Sequence, residues 1–242
     1  MDNNKILELI RGNREFTPRI MQDCASYKFF LKLCANNYRY SFSDQSMILM
    51  QKPNASNCAS YEFWKENGRR VKKGAKGIAL LRKGIFLSYI IYVFDRADTE
   101  GIRPNEIPLK QPSNAKIKNL ITNKRFQYKH MLPELSEKIS RLCFNEAEAE
   151  CDKFYAEFCE VKSDVFIEKS DFIRHAYLSS DYELKLILNH NRVGNPDEKV
   201  FSFVNRYTNF DEIYVLGNFV NTIVNNILLK VGFEDSPHIA EL

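Results

Sequence analysis

No segment of this sequence is long and apolar enough to predict a membrane-spanning helix. The longest apolar run, IFLSYIIYVF at residues 85–94, has about half of the roughly 20 residues that such a helix requires. The first residues, MDNNKILELIRGN, also lack the basic start and the apolar stretch of an export signal. We therefore expect a soluble, cytoplasmic protein without membrane partners, in which residues 85–94 form a buried strand.

The sequence also lacks the cysteine and histidine patterns that bind metals. None of its six cysteines forms a CxxC pair, and the last three, Cys143, Cys151 and Cys159, recur every eight residues on a helical pattern. The four histidines stand apart, without an HExxH motif. Disulfides would require an exported protein, so we predict reduced thiols in apolar surroundings. We expect neither a metal site nor a cofactor.

Motifs of the common catalytic sites are missing too. The segment KKGAKG has neither the spacing nor the following Ser or Thr of a P-loop, and no GxSxG motif occurs. The acids of NEAEAECDKF are spaced like ordinary charges on the solvent side of a helix. We therefore expect no catalytic residues and no enzyme activity. An enzyme whose site is assembled from distant residues, with a disguised zinc centre, is the alternative.

The spacing of apolar residues predicts helices in the first part of the chain. Apolar side chains recur every three or four positions over residues 20–34, which is typical of an amphipathic helix. A second helix is predicted at SDQSMILMQK, where Ser43 with Asp44 can cap the first turn. A short third helix is predicted for residues 60–66, and Gly68 ends it.

Three runs rich in β-branched and aromatic residues follow these helices: RRVKKG, GIALLRKG and FLSYIIYVFDRAD. They predict a small antiparallel sheet whose strands are joined by tight turns at Gly74 and Gly84. The next segment, TEGIRPNEIPLKQPSNAK, contains three prolines and little apolar content, which is typical of a connector. Residues 1–100 are thus predicted to form an α+β domain, followed by a connector at residues 101–116.

The second half, residues 117–242, is predicted to be a mostly α-helical domain. One helical face is formed by apolar residues at Ile139, Leu142, Cys143, Ala147, Phe154, Tyr155 and Phe158. Another long helix is predicted at FDEIYVLGNFVNTIVNNILLKVGF, with Asn209 or Asp211 at its start and Gly232 near its end. The predicted fold class of the whole chain is therefore α+β, with helices and a small sheet before a helical half.

Positive charge is concentrated in one short segment of the first half. Residues 65–83 hold eight cations against one acid, a balance of +7, whereas the net charge of the whole chain is +4. Such a density attracts a polyanion, and glycines among the cations let backbone N–H groups approach phosphates closely. The alternative is a charged β-hairpin that forms a solvated sheet edge and discourages aggregation.

Aromatic residues are interleaved near these cations, at Tyr38, Tyr40, Phe42, Tyr61, Phe63 and Trp64. The bases of a single strand can stack on such rings while the sugar–phosphate chain follows the lysines. Duplex DNA cannot use this arrangement, because its bases are already stacked. The pattern therefore favours sequence-tolerant binding of single strands.

An ordered series of residues in this half resembles a known family. The order F..FL.......YSFSDQSMILMQKPNAS....FWKENGRRVKKGAKGIALL, followed by VFDRADT, is similar to the N-terminal single-stranded-DNA-binding domain of the ArdC antirestriction proteins. It also resembles the N-terminal part of conjugative TraC-type primases. The resemblance covers roughly residues 27–99 and departs at Asp44, where the family usually has Asn.

The resemblance implies single-stranded DNA binding on a mobile genetic element, linked to conjugation or antirestriction. ArdC proteins carry a zinc-metallopeptidase-like domain with an HExxH helix after the binding domain. Residues 117–242 do not match that domain, so this half is either a helical domain of another kind or a peptidase-like relic that has lost its ligands. The resemblance therefore implies DNA binding without proteolysis.

Ten residues are predicted to contact DNA: Tyr40, Ser41, Gln45, Gln51, Trp64, Arg69, Arg70, Lys72, Lys73 and Lys76. The lysines are expected to neutralise phosphates, and the arginines to contact phosphates or stack on bases. The tyrosine and the tryptophan are expected to stack, and the glutamines to donate hydrogen bonds to the backbone or the bases.

A protein-interaction module is the alternative function. In that hypothesis the helical half inhibits a restriction enzyme or docks on a conjugation complex, and the basic segment grips an acidic protein surface. Binding that depends on polynucleotide would favour the first hypothesis over the second.

Overall fold

A computed structural model of the chain describes residues 3–84, 87–101, 133–162, 166–188 and 201–230. The helices in these ranges are α1 (Asn3–Phe16), α2 (Cys24–Asn36), α3 (Phe42–Gln51), α4 (Tyr61–Glu66), α5 (Pro133–Val161), α6 (Lys169–Leu188) and α7 (Phe210–Lys230). The strands are β1 (Cys58–Ser60), β2 (Arg69–Val71), β3 (Ile78–Lys83), β4 (Ser88–Asp95) and β5 (Thr99–Gly101). The predicted α+β class, with a helical second half, is confirmed.

The first predicted helix, residues 20–34, is divided in the structure. A 3₁₀ turn covers Thr17–Met21, and α2 begins only at Cys24. The division occurs because Asp23 has an extended backbone and its carboxylate accepts a 2.8 Å hydrogen bond from the Ser26 N–H, which caps a new helix. Helix α1 precedes both elements and was not predicted from the sequence.

The caps of α3 and α4 are serines that lie just outside the helices. Ser41 accepts a 3.2 Å hydrogen bond from the Asp44 N–H, so the predicted cap Ser43 is wrong. Ser43 already lies in the first turn, whereas Ser41 has the extended backbone that a cap requires. The short helix α4 is confirmed, with Ser60 as its cap and Gly68 beyond its end at a φ of +70°.

The strands form two sheets instead of the one that was predicted. One sheet has the order β1-β4-β3, and β2 pairs separately with β5. All pairs are antiparallel, with Arg70 opposite Glu100 in the smaller sheet. The prediction that RRVKKG and GIALLRKG form a hairpin is therefore wrong, because Val71 pairs with Thr99.

The strand β5 also changes the predicted connector. Residues 99–101 belong to the smaller sheet, so the connecting segment starts later than Thr99. Residues 102–116 lie outside the described residues, and the predicted domain boundary stays a prediction. Strand β4 is not the buried strand expected for residues 85–94, since only Val93 and Asp95 are buried in it. Burial alternates only over its last four residues, from Tyr92 to Asp95, and its first four residues are exposed or half-buried.

Helices α5, α6 and α7 pack on a core of aromatic rings. The ring of Phe219 stacks on Phe154 at 4.9 Å and on Phe172 at 5.4 Å between centroids. The predicted apolar face of α5 is confirmed, because each of its seven residues is buried or half-buried. Asn209 caps α7 by accepting a 2.8 Å hydrogen bond from the Glu212 N–H, and Gly232 lies outside the described residues.

The core continues from the first half of the chain into the second. The Tyr27 hydroxyl of α2 donates a 2.8 Å hydrogen bond to Ser179 of α6. A Cβ on Gly217 of α7 would lie 2.1 Å from Cδ2 of Phe42, so this glycine permits α3 to approach α7 closely. The two predicted domains therefore share one hydrophobic cluster.

None of the six cysteines takes part in a disulfide, as predicted. Cys159 is exposed, and the other five are buried or half-buried. Within the described ranges, no helix combines the length and the apolar character needed to cross a bilayer.

Candidate nucleic-acid interface

Trp64 lies in the core and not on the surface. Its side chain is 1% exposed, and its indole Nε1 donates a 2.9 Å hydrogen bond to the Phe94 carbonyl oxygen. The guanidinium of Arg69 lies 5.9 Å from its ring. A ring without an accessible face cannot stack on a base, so the prediction that Trp64 contacts DNA is wrong for this folded state.

Arg69 is buried beside that tryptophan and forms hydrogen bonds within the smaller sheet. Its Nε donates to Thr99 Oγ1 at 2.7 Å, and its Nη2 donates to the Thr99 carbonyl oxygen at 3.1 Å. These bonds join β2 to β5 through an arginine that is 7% exposed. The predicted contact between Arg69 and DNA is therefore corrected to a structural role.

Tyr40 and Gln45 are buried around the edge of β1. The Tyr40 hydroxyl donates to the Cys58 carbonyl oxygen at 3.0 Å, and Gln45 Nε2 donates to the Asn37 carbonyl oxygen at 3.2 Å. Asn37 in turn accepts a 2.9 Å bond from the Cys58 N–H. With 3% and 2% exposure, neither Tyr40 nor Gln45 reaches a ligand, and both predicted DNA contacts are wrong.

Gln51 caps the free edge of β3. Its Oε1 accepts from the Ala79 N–H at 2.9 Å, and its Nε2 donates to the carbonyl oxygens of Ala79 at 2.8 Å and Met47 at 3.0 Å. The amide thus imitates a neighbouring strand, although Gln51 itself is exposed. Both Nε2 protons are used within the protein, which gives Gln51 a structural role, and its contact with DNA stays a prediction. Ser41 is exposed, and its contact with DNA stays a prediction.

Three predicted lysines meet in an exposed turn at residues 72–77, which we call the basic turn. The Ala75 N–H donates to the Lys72 carbonyl oxygen at 3.1 Å, which closes a four-residue turn. Gly74 occupies its third position with a φ of +85°, as a type II turn requires. A Cβ at Gly74 would meet no atom within 4 Å, so the turn is open to solvent.

The cations in and beside the basic turn differ in their hydrogen bonds and ion pairs. Lys72 donates to the Ala97 carbonyl oxygen at 2.8 Å, and Arg70 pairs with Glu100 at 2.6 Å with its side chain 80% exposed. Lys73 and Lys76 are exposed and have no side-chain partner among the described residues. An exposed pair contributes only about 0 to 1 kcal/mol, so Arg70 can readily exchange Glu100 for a phosphate.

Not every cation of residues 65–83 contributes to the surface field. Besides the buried Arg69, Arg82 is held by Asp44 in a 2.8 Å ion pair with side-chain exposures of 15% and 9%. Asp44 is the position at which the sequence departs from the ArdC pattern, and here it neutralises Arg82. The exposed positive charge is thus concentrated in the basic turn, Arg70 and Lys65, with Lys83 exposed at the other end of β3.

Tyr92 of β4 lies beside the basic turn and is not among the residues predicted from the sequence to contact DNA. A Cβ on Gly77 would lie 3.0 Å from both Cβ and Cδ1 of Tyr92, so the tyrosine covers the Gly77 backbone. The Tyr92 side chain is 45% exposed. Lys5 of α1 donates a 2.6 Å hydrogen bond to its hydroxyl and lies 5.0 Å from the ring centroid. Residues 85–94 form a nearly continuous apolar run, so no local pattern in the sequence marks Tyr92 as an outward ring.

The six rings singled out near the basic segment contribute little exposed surface. Tyr61 is 48% exposed, whereas Tyr38 and Phe63 are half-buried and the others are buried. Four of the predicted contacts therefore remain together in one accessible place: Arg70, Lys72, Lys73 and Lys76. Tyr92 and Lys5 join them from distant parts of the chain.

The strongest pKa shifts among carboxyl and imidazole groups occur in the core, away from this surface. Burial lowers the pKa of His175 to about 4, and its Nδ1 lies 2.8 Å from the Tyr207 hydroxyl. Burial also raises the pKa of Glu183 to about 8, and its Oε1 has no hydrogen-bond partner within the described part of the chain. In that same part, no three His, Cys, Asp or Glu side chains are placed to bind a metal.

No family model, curated protein or solved structure matched this chain. The resemblance to ArdC proteins therefore rests on the residues quoted above and stays a prediction.

Proposed function

We propose that the protein binds single-stranded DNA with little dependence on sequence, and that the basic turn and Arg70 contact the phosphates. The observation that carries this proposal is the exposure of Lys73 and Lys76, which have no side-chain partner in the described ranges. Lysines of this kind neutralise phosphates and release counterions without first breaking an internal ion pair. Binding of this type does not distinguish one base sequence from another.

The backbone of the turn supports the same proposal. The N–H groups of Lys73 and Gly74 donate to no backbone carbonyl oxygen among the described residues. Adjacent N–H groups that point out of a turn form a concavity that suits an anion. Because Gly74 has no side chain, a phosphate can approach these groups closely.

The resemblance of residues 27–99 to the ArdC binding domain supports single strands as the ligand and a mobile genetic element as the setting. In that setting, the protein protects or escorts a transferred strand during conjugation or antirestriction and catalyses no reaction. Conjugation or restriction proteins are further partners under this proposal. The departure from the ArdC pattern at Asp44 does not weaken this proposal, since the Asp44 carboxylate forms an ion pair with Arg82.

A titration of fluorescent oligonucleotides tests the proposal. We expect a single strand to bind more tightly than a duplex of equal length, with an affinity that falls as salt rises. The sequence of the single strand should matter little. Absence of binding to single strands, or tighter binding of the duplex, would contradict the proposal and favour the protein-interaction alternative.

A further inference from the structure

We propose that the outer face of the β3–β4 hairpin is the platform on which unpaired bases stack, with Tyr92 as its principal ring. This inference rests on the proposed function and names the surface that distinguishes single strands from duplex. It is needed because the two rings predicted to stack, Tyr40 and Trp64, are buried.

The register of the hairpin assigns residues to its two faces. Ile78 pairs with Val93 and Leu80 with Ile91, and this face turns towards the helices, since Ile78, Leu80 and Val93 are buried. Side chains alternate along a strand, so the intervening pairs point the other way. That outer face carries three pairs: Ala79 with Tyr92, Leu81 with Ile90, and Lys83 with Ser88. Ala79 is buried beside Tyr92 and Leu81 is half-buried against the core, so the accessible part of this face is Tyr92, Ile90, Lys83 and Ser88.

The outer face has an apolar middle and basic ends. Tyr92 is 45% exposed, and Ile90 and Leu81 are half-buried beside it. Lys83 is exposed at the far end of the hairpin, about 20 Å from the basic turn by the rise of a strand. Rings and aliphatic side chains contact bases while cations on either side follow the backbone, which is the arrangement of surfaces that bind single strands.

The position of Tyr92 is fixed from two directions. Gly77 lets the tyrosine lie against the strand backbone, and Lys5 holds its hydroxyl at 2.6 Å. A ring fixed in this way loses little side-chain freedom when a base stacks on it. The ammonium group of Lys5 also brings a further positive charge to the end of the platform nearest the basic turn. Lys5 is in this sense a positioning residue.

The charge pattern identifies a nucleic acid as the occupant of this face. Lysines at both ends match the phosphates that flank stacked bases in one strand. A duplex presents its phosphates but not its base faces, so it can use the lysines and not the ring. The platform therefore adds affinity for single strands alone.

Two variants of the full chain test the platform. Tyr92→Ala should weaken the binding of an oligothymidylate by roughly 5- to 150-fold, the range expected when one base loses its ring. Binding of a duplex and the salt dependence should stay within about twofold of the unchanged protein, because no phosphate contact is lost. Tyr92→Phe keeps the ring and should keep most of the affinity. Cross-linking by an oligonucleotide that carries 5-iododeoxyuridine should label Tyr92.

Tyr61→Ala is the matched control, since Tyr61 is 48% exposed and lies on α4. It should bind like the unchanged protein, and both alanine variants should keep their circular dichroism spectra. If Tyr92→Ala binds single strands normally while removal of the basic-turn lysines abolishes binding, the platform is wrong and the proposed function stands. If loss occurs in Tyr61→Ala instead, bases stack on α4. If the unchanged protein binds no single strand, the proposed function itself fails.

Discussion

The side-chain amide of Gln51 pairs with both backbone groups of Ala79, accepting from its N–H at 2.9 Å and donating to its carbonyl oxygen at 2.8 Å. Tyr40 has a related role at β1, the other edge strand of this sheet, where its hydroxyl donates a hydrogen bond to the Cys58 carbonyl oxygen. Both residues belong to the series that resembles ArdC proteins. Part of that series is thus explained by the construction of a small sheet whose two edge strands need side-chain partners for their backbone groups.

Gln51→Ala should destabilise the protein without weakening DNA binding by the folded state. It leaves the backbone groups of Ala79 without their side-chain partners, and we expect a loss of about 1 to 3 kcal/mol in the free energy of unfolding. Urea denaturation measures this loss, and Asn54→Ala, at an exposed neighbour, is the control. If the folded Gln51→Ala protein had lost affinity for single strands, Gln51 would contact DNA directly.

Replacing Lys72, Lys73 and Lys76 together by alanine should weaken binding to all single strands about equally. The slope of log K against log salt should fall by roughly 0.7 for each phosphate contact that is lost. The melting temperature should change little, since exposed lysines contribute little to stability. Oligonucleotide titrations at several salt concentrations measure both quantities.

A charge-matched variant separates local contacts from net charge in that experiment. Replacing Lys32, Lys138 and Lys162 by alanine removes the same charge from exposed positions outside the basic segment. This control should bind nearly as well as the unchanged protein. Equal losses in the two triple variants would mean that only the overall field matters.

Glu183→Gln should change how stability depends on pH. The folded-state pKa of about 8 lies above the ordinary value of 4.5, because burial disfavours the carboxylate. The folded state therefore binds more protons between these values, so stability falls as pH rises from 4.5 to 8, by up to about 5 kcal/mol. The glutamine variant should lack this fall and should be the more stable protein at pH 8.

Denaturation at a series of pH values measures the effect of Glu183. Glu157→Gln, at an exposed position of α5, is the control and should follow the unchanged protein. If the Glu183→Gln and unchanged proteins lost stability in parallel between pH 6.5 and 8, the carboxyl would not be the group that titrates.

His175 should make the protein less stable as pH falls, which is the opposite of the pH dependence expected from Glu183. Its folded-state pKa of about 4 lies below the ordinary 6.5, because burial disfavours the imidazolium. The unfolded state binds more protons between these values, so the stability contributed by the neutral ring is present above pH 6.5 and is lost towards pH 4. The loss should approach about 3 kcal/mol.

A comparison with His175→Gln measures that contribution. The variant should be less stable than the unchanged protein at pH 7, because it loses the ring that stacks on Phe203 at 4.1 Å. The difference between the two proteins should shrink as pH falls from 6.5 to 4. A difference that stays constant over this range would contradict the assignment.

The sequence by itself determined the features that depend on local spacing and local chemistry. The apolar face of α5 from Ile139 to Phe158 was predictable because a helix repeats every 3.6 residues, whatever it packs against. The short helix α4 and the glycine beyond its end follow from capping chemistry within a few residues. The density of lysines in the basic turn, and hence its attraction for a polyanion, likewise depends on the sequence alone.

Only the tertiary structure decided which side chains are available. Trp64 stands next to the basic segment in the chain, yet its indole bonds to Phe94, 30 residues away, and is buried. Tyr92 meets Lys5 across 87 residues, and no local period encodes such a contact. Pairing of Val71 with Thr99 likewise replaced the expected hairpin. Such contacts form where burial and hydrogen bonding across the whole fold outweigh local preference. Which side chains of the site are exposed, and which residues they contact, could therefore be known only from the folded chain.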